Sequence, residues 1–453
     1  MSFKTLYDDT IAAIATPFGV GGISVIRVSG DNAIKEVNKV FKGKNLEKVK
    51  SHTINYGHIV NKNGDLVDEV MVSVMHAPRT FTSENVVEIS THGGILVTEE
   101  VLNTILSLDI RMANPGEFSE RAYLKGRIDL VQAESIMDII HAKNKNALKV
   151  ANLGLGKQTS ALITDLRDKL LNIIANIEVN IDYPEYDLVE TITNNVIKPE
   201  TSKLIEEMDY ILRKSNQTRI IREGIKTAII GRPNVGKSSL LNTLLDEEKA
   251  IVTNIAGTTR DTLDATINIG GITLNLIDTA GIRETSDVVE QIGVERSKKA
   301  IESAELILLV IDQSEELTKE DLELIELTNN KNRIIILNKS DLPKKAELDN
   351  AVIISTETLE GIRELETSIS KTLKLSDLDE SDFNYLSNIR HINKLKESRN
   401  ALEQVLIEID NGMPVDILAV DLTNAWNILG DIIGSSYRGE LIDQLFSKFC
   451  LGK

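Results

Sequence analysis

The sequence predicts a multidomain chain: an α+β domain, then a discontinuous helical domain with an α/β domain inserted into it. Three observations carry this. The chain has 453 residues, which at ~100–200 residues per domain makes about three domains. Between about 221 and 375, short β-rich runs alternate with helical segments, the pattern of a mostly parallel sheet with helices on both faces. On either side of that stretch apolar residues recur at helical spacing,.

The expected boundaries are 1–122, 123–220, 221–375 and 376–453. In the first part Ile23–Ser29 alternates as a half-buried strand does, and His52–Val60 and Leu66–Ala77 are similar,. Asp31–Val40 and Gly94–Leu106 read as helices, and dense Gly and Pro punctuation separates the elements,. From Leu130 to the acidic turn Asp182–Asp187 the spacing predicts a long helical hairpin, resumed from Leu204. In the inserted domain the strands are Ile225–Ile230, Thr273–Asp278, Leu306–Asp312, Arg333–Asn338 and Val352–Ser355. Helical texture returns in Phe383–Ile409 and Asp416–Leu429. The acidic stretch 302–326 reads as a solvated helix face and not as a metal site.

Composition removes several function classes. Lys plus Arg number 51 against 69 Asp plus Glu, a formal net charge of −18. A chain this acidic is no general nucleic-acid or membrane-surface binder, so any RNA contact must be local. Its single cysteine, Cys450, permits no intramolecular disulfide and fits a reducing compartment. Apolar runs such as Leu306–Ile311 are too short to cross a bilayer,. The first ten residues carry neither a basic nor an apolar leader region,. The expectation is a soluble, cytoplasmic protein without a membrane partner.

The chemistry lies in five elements of the inserted domain. Gly231–Ser238 (GRPNVGKS) follows a strand and opens a helical run. It is a phosphate-binding loop: backbone N–H groups and a helix N-terminus face the anion, Lys237 reaches the β- and γ-phosphates, and Ser238 ligates Mg²⁺. Asn234, Val235, Gly236 and Ser239 complete that loop. Gly257–Asp261 (GTTRD) supplies hydroxyls from Thr258 and Thr259, the latter for Mg²⁺ and the γ-phosphate. Asp278, Thr279, Ala280 and Gly281 sit at a strand end, where the carboxylate holds a Mg²⁺-bound water. Asn338, Lys339 and Asp341 end another strand, and Ser355 ends the last. Asn338–Asp341 decides the base, because a carboxylate accepts from guanine N1–H and N2–H₂ together and adenine offers no such pair. The inserted unit is thus expected to be an α/β P-loop GTPase domain. Ile282 stands where many GTPases carry a glutamine that orients water,, so hydrolysis needs another group.

These residues resemble the tRNA-modification GTPase family MnmE (TrmE), and the resemblance runs the full length. It includes Gly231–Ser238, Ala256–Asp261 and Asp278–Arg283 in the inserted domain. It also includes Ala15–Pro17, Gly21–Gly30, Phe81–Glu84, His92–Gly94, Asn114–Ala122 and the terminal Cys450–Lys453. The resemblance implies a homodimer formed by the N-terminal domains, which bind a one-carbon tetrahydrofolate (5,10-methylene or 5-formyl). It implies action with the flavoprotein MnmG (GidA) to build an aminomethyl or carboxymethylaminomethyl group on C5 of the wobble uridine of certain tRNAs. It further implies GTP hydrolysis activated by K⁺, with Asn234, Thr253, Ile255 and Thr258 as K⁺ ligands and Glu290 as the water-orienting group. Arg27, Glu84, Arg127 and Lys453 match folate contacts, Arg127 standing where lysine is expected,. Cys450 is the candidate for covalent work,. Without the resemblance, Glu290 reads as a solvated helix charge, and Arg27 with Glu84 as a surface ion pair worth little. The competing function is a regulatory GTPase of ribosome assembly, for which a basic RNA-binding module would be expected after the G domain. The six histidines have no zinc spacing.

Overall fold

The computed structural model describes residues 9–142, 144–182, 193–247, 263–269, 272–277, 300–373, 385–435, 445–447, 449 and 452. They belong to two compact units, one within 1–137 and 433–453, the other within 138–432.

The first unit is built on a seven-stranded sheet. Its strands are β1 Ile11–Ile14, β2 Ile23–Ser29, β3 Phe41–Gly43, β4 Thr53–Val60, β5 Leu66–Met75, β6 Val86–His92 and β7 Arg111–Met112, in the order β3-β4-β5-β6-β2-β1-β7. All neighbours are antiparallel except β1 and β7. The β4–β5 turn is set by Asn61, whose Oδ1 accepts from the Asn63 and Asp65 amides, the side-chain mimicry typical of asparagine in turns. Alternate residues such as Ile26, Val28, Val72, Val87 and Ile89 form one core with Ile34 and Val37 of helix Ala33–Val40 and Val101 and Ile105 of helix Ile95–Leu106. A second cluster joins Ala122, Ile128, Leu130, Ala133 and Met137 to Phe446 and Phe449. That packing carries this unit past the expected boundary at 122 and draws the last part of the chain into it.

The second unit holds the helical part and the inserted sheet. A long helical hairpin was expected between Leu130 and Asp182; the chain forms three helices there, Leu130–His141, Lys145–Leu155 and Gln158–Asp182. Asn144 caps a new helix by accepting from the Ala147 amide,, and Lys157 turns the chain with φ at +70°. Helix Lys198–Glu223 has Pro199 in its first turn and packs on Ile389–Asp410,. Leu204, Met208 and Ile211 are buried from the first, Leu395, Leu402 and Val405 from the second, and Leu418 and Leu422 from Val415–Ile433.

The inserted sheet has six strands: β8 Ile225–Ile230, β9 Leu263–Ile269, β10 Ile272–Ile277, β11 Leu306–Asp312, β12 Arg333–Asn338 and β13 Val352–Ile353. Their order is β13-β12-β11-β8-β10-β9, parallel except for β9. β11 is buried along its whole length, as a central parallel strand must be. β9 was not foreseen, although LDATINI alternates apolar and polar residues as a half-buried strand does; it lies at the sheet edge,. The fold class read from the sequence therefore stands: an α+β domain, a helical domain and an inserted α/β domain.

Candidate nucleotide site and N-terminal ionic cluster

The loop Gly231–Gly236 joins the end of β8 to helix Lys237–Glu247. Val235 is buried while Asn234 is exposed, with φ at +63°. Lys237 Nζ donates to the Gly231 and Arg232 carbonyls at 2.8 and 2.6 Å. The ammonium is thereby aimed across the loop, and burial pushes its pKa down,. Ser238 and Ser239 are exposed in the first turn of the helix. Arg232 is anchored outside the loop by Glu315 (2.7 Å) and Asp321 (2.9 Å).

The far wall comes from three strand ends. Asn338, fully buried at the end of β12, donates from Nδ2 to the Val235 carbonyl at 2.9 Å and accepts from the Thr356 amide at 3.2 Å. Gly236 lies so close that a Cβ there would stand 2.1 Å from Asn338 Nδ2, and its φ is +97°; only glycine closes the loop this way. Lys339 pairs with Asp312 at 2.5 Å. Burial works against the Asp312 charge, but the Lys339 and Ser314 hydrogen bonds outweigh it and hold the carboxyl below its ordinary value. Asp341 is exposed, and its Oδ1 accepts from the buried Ser355 hydroxyl at 2.6 Å. Ser355 Oγ also accepts from the Glu357 and Thr358 amides. A carboxylate so held can receive two parallel N–H donors.

The structure thus brings together Asn234, Val235, Gly236, Lys237, Ser238, Ser239, Asn338, Lys339, Asp341 and Ser355. Thr253, Ile255, Thr258, Thr259, Asp278, Thr279, Ala280, Gly281, Glu290, Cys450 and Lys453 lie outside the described residues, as does Ile282. Sequence reasoning gave Asp312 no part in the site, and took Arg232 and Thr356 only as members of their motifs. The available signal was Asp312 closing β11 in register with Asn338. The expectation that 302–326 is only a solvated face is corrected at two positions: Asp312 and Asp321 are buried, the latter closing a capping box with Thr318 while bound to Arg232,. Among the described residues no group of His, Cys, Asp and Glu could hold a metal ion by itself.

In the first unit, Arg27 and Glu84 do not pair with each other, which corrects the ion-pair alternative. Arg27 Nε donates to Glu88 at 2.9 Å, and its Nη1 to the Gly452 carbonyl at 2.9 Å. Its guanidinium lies 5.7 Å from the Phe118 ring centroid, within cation–π range. Glu84 is buried and receives the Ser29 hydroxyl (2.8 Å), Lys125 (3.0 Å) and Arg121 (3.3 Å). Arg121, wholly buried, also meets Glu117 at 2.8 Å and Asp9 at 2.7 Å. Arg111 completes the cluster with Glu117 at 2.6 Å. Arg127 is exposed.

The comparisons with known proteins follow this division. A family model described as the MnmE helical domain matches residues 130–450. One described as the GTP-binding protein TrmE N-terminus matches residues 10–127. The chain belongs to the MnmE (TrmE) family. A protein of Acholeplasma laidlawii named tRNA modification GTPase MnmE is 63% identical over 444 residues, 98% of this chain and 99% of that one. The protein of that name from Aster yellows witches'-broom phytoplasma is 55% identical over 460 residues, 99% of this chain and 100% of its own. That from Ligilactobacillus salivarius is 54% identical over 456 residues, 98% of each chain. The MnmE helical-domain match encloses the whole inserted sheet, and the TrmE match encloses Arg27, Glu84 and Arg127. Among the described residues no helix is long and apolar enough to cross a membrane.

Proposed function

We propose that this MnmE-family chain hydrolyses GTP in a K⁺-activated reaction and couples it to modification of tRNA. As a homodimer, with the flavoprotein MnmG, it installs an aminomethyl or carboxymethylaminomethyl group at C5 of the wobble uridine (position 34). The observation that carries the reading is the Asn338 side chain, which ties the Val235 carbonyl of the phosphate loop to the Thr356 amide. Phosphate loop and base-recognition strand ends are thereby one body, as a site for a guanine nucleotide requires.

The loop fits a polyphosphate. Lys237 is an under-solvated cation leaning on two carbonyls, and an arriving phosphate would satisfy it better than they do. Ser238 and Thr259 would hold a Mg²⁺ that draws charge off the phosphates, and Asn234, Thr253, Ile255 and Thr258 a K⁺ that adds positive charge at the leaving oxygen. Asp341, set by Ser355, accepts from the guanine edge. Glu290 orients the attacking water in place of a glutamine. Asp278 to Gly281 meets the γ-phosphate side.

For the second half of the chemistry, Arg27, exposed Arg127 and Lys453 supply cations for the glutamyl carboxylates of a tetrahydrofolate. Buried Glu84 serves by holding Arg121 and Lys125. Bound folate would supply the one-carbon unit, and the Cys450 thiol is the nucleophile of this chain. The test is nucleoside analysis of total tRNA from a strain lacking this protein. Loss of the modified wobble uridine, restored by the wild-type chain, supports the proposal; an unchanged nucleoside profile overturns it.

A further inference from the structure

Helix Lys145–Leu155 is joined to the inserted sheet through one asparagine. Asn144 spends its Oδ1 on the Ala147 amide as a helix cap and donates from Nδ2 to Thr273 Oγ1 at 2.8 Å. Thr273 Oγ1 donates onward to Asn268 Oδ1, also at 2.8 Å. Asn268 and Thr273 stand opposite each other in the β9–β10 ladder, and Thr273 is buried. The Asn144 side chain therefore holds β10 directly and β9 through the Thr273 hydroxyl. A second contact lies beside it. Helix Lys198–Glu223 ends at Gly224, where φ is +77° and a Cβ would stand 2.5 Å from the Thr273 carbonyl. Only glycine lets the helix end this close to β10.

The hairpin is a particular one. In sequence, β9 is separated from Gly257–Asp261 by one residue, and β10 runs directly into Asp278–Gly281. These are the two segments assigned to sensing the γ-phosphate. A paired two-strand ladder moves as a unit, because sliding one strand breaks its hydrogen bonds and reverses its faces. We infer that Asn144 and Thr273 are positioning residues that transmit the nucleotide state of the inserted domain to the helical part through the β9–β10 hairpin. This rests on the GTPase reading above. Neither residue belongs to the nucleotide site, so nucleotide affinity and transmission are separable.

The experiment follows hydrogen exchange of the backbone amides in 145–155, in the full-length chain, with GDP and with a non-hydrolysable GTP analogue. Wild-type protein shows a difference between the two states. Thr273→Val keeps shape and strand preference but removes the hydroxyl. Asn144→Ser keeps a helix cap but is too short to reach Thr273. In both variants nucleotide affinity stays within about twofold, a change of a few tenths of a kcal/mol, and the difference in exchange is lost. Wobble-uridine modification falls about tenfold, the scale of one coupled hydrogen-bonded pair. A difference that persists in either variant, or that wild type never shows while binding both nucleotides, overturns the relay alone. A wild-type chain that binds neither nucleotide overturns the GTPase reading and the relay with it.

Discussion

The Asn338 side-chain amide donates to the Val235 carbonyl at 2.9 Å, joining segments 103 positions apart in sequence. Asn338 therefore acts as a strut for the phosphate loop. Asn338→Ala leaves the buried carbonyl without its donor, a cost of about 1–3 kcal/mol. Both GTP and GDP affinity should drop about 10–100-fold, and by the same factor, because the strut serves the loop whichever nucleotide is bound. Fluorescence titration with labelled GTP and GDP measures this. Unchanged affinity for both would reduce Asn338 to ordinary packing.

Arg121 sits wholly buried between Glu84 and Glu117. Arg121→Met removes one cation from two buried carboxylates, leaving Glu84 to Lys125 and Glu117 to Arg111, and breaking a buried pair of this kind costs up to about 3–5 kcal/mol. The pH dependence has a definite sign. Burial opposes the Glu117 charge, but Arg111, the Asn114 amide and Arg121 outweigh it and hold the carboxyl below its ordinary value of 4.5. A depressed folded pKa contributes stability that is present above the unfolded value and is lost as pH falls through the folded one. Removing Arg121 raises that folded pKa. The stability gap between wild type and variant is then widest near neutrality and narrows below about pH 4.5. Urea unfolding at pH 7 and pH 4 checks it; an equal gap at both would mean that lost packing and not charge is responsible.

What could be read from the sequence was local. β2, β8, β11 and β12 have the bounds that alternation or a continuous apolar run indicates. The phosphate loop was legible because glycine, lysine and serine occur at fixed spacing between strand and helix. β9 was legible too, since LDATINI alternates apolar and polar residues as a half-buried strand does, though it is missing from the expected strands,. Asn144 and Lys157 broke a helical pattern that apolar spacing alone continues. Asp312 beside Lys339, Arg121 beside Glu84 and Asn338 beneath Val235 were not legible. Each is a pairing across distant segments, and no local spacing encodes which charge will be buried against which.

Asn234, at φ +63° on the exposed side of the loop, is the described member of the proposed K⁺ set. GTP turnover in K⁺ should exceed that in Na⁺ at equal ionic strength by about tenfold or more, the low end of what a charge aimed at a developing oxyanion supplies. Screening is the same in both salts and cannot produce the gain. Equal rates would remove the K⁺ assignment while leaving the GTP site in place.

Ile282 offers no polar group to a water, and Glu290 is the proposed substitute. A group that orients water acts in the transition state, so Glu290→Ala should lower kcat by about 10²-fold and leave nucleotide affinity nearly unchanged. Steady-state turnover in K⁺, set beside equilibrium binding, separates the two. Wild-type turnover by the variant would return Glu290 to a solvated helix charge.

In sequence Cys450 follows Phe449, packed in the apolar cluster of the first unit, and stands two positions before Gly452, whose carbonyl accepts from Arg27. The phosphate loop and the guanine-binding strand ends belong to the second unit. We predict that the thiol takes no part in phosphoryl transfer. A thiolate is a strong nucleophile, and Lys448 and Lys453 flank it in sequence, a setting that favours deprotonation. Serine keeps the size and polarity of the side chain but ionises far above neutral pH, so it preserves the fold and removes the nucleophile. Cys450→Ser should retain K⁺-stimulated GTP hydrolysis within about twofold, a few tenths of a kcal/mol, yet fail to restore modified wobble uridine in a strain lacking this protein. Parallel GTPase assays and tRNA nucleoside analysis read the two halves separately. Full restoration would make Cys450 a packing residue; loss of GTPase activity together with modification would make the terminal segment a structural support, and the division of labour between the two units would fall.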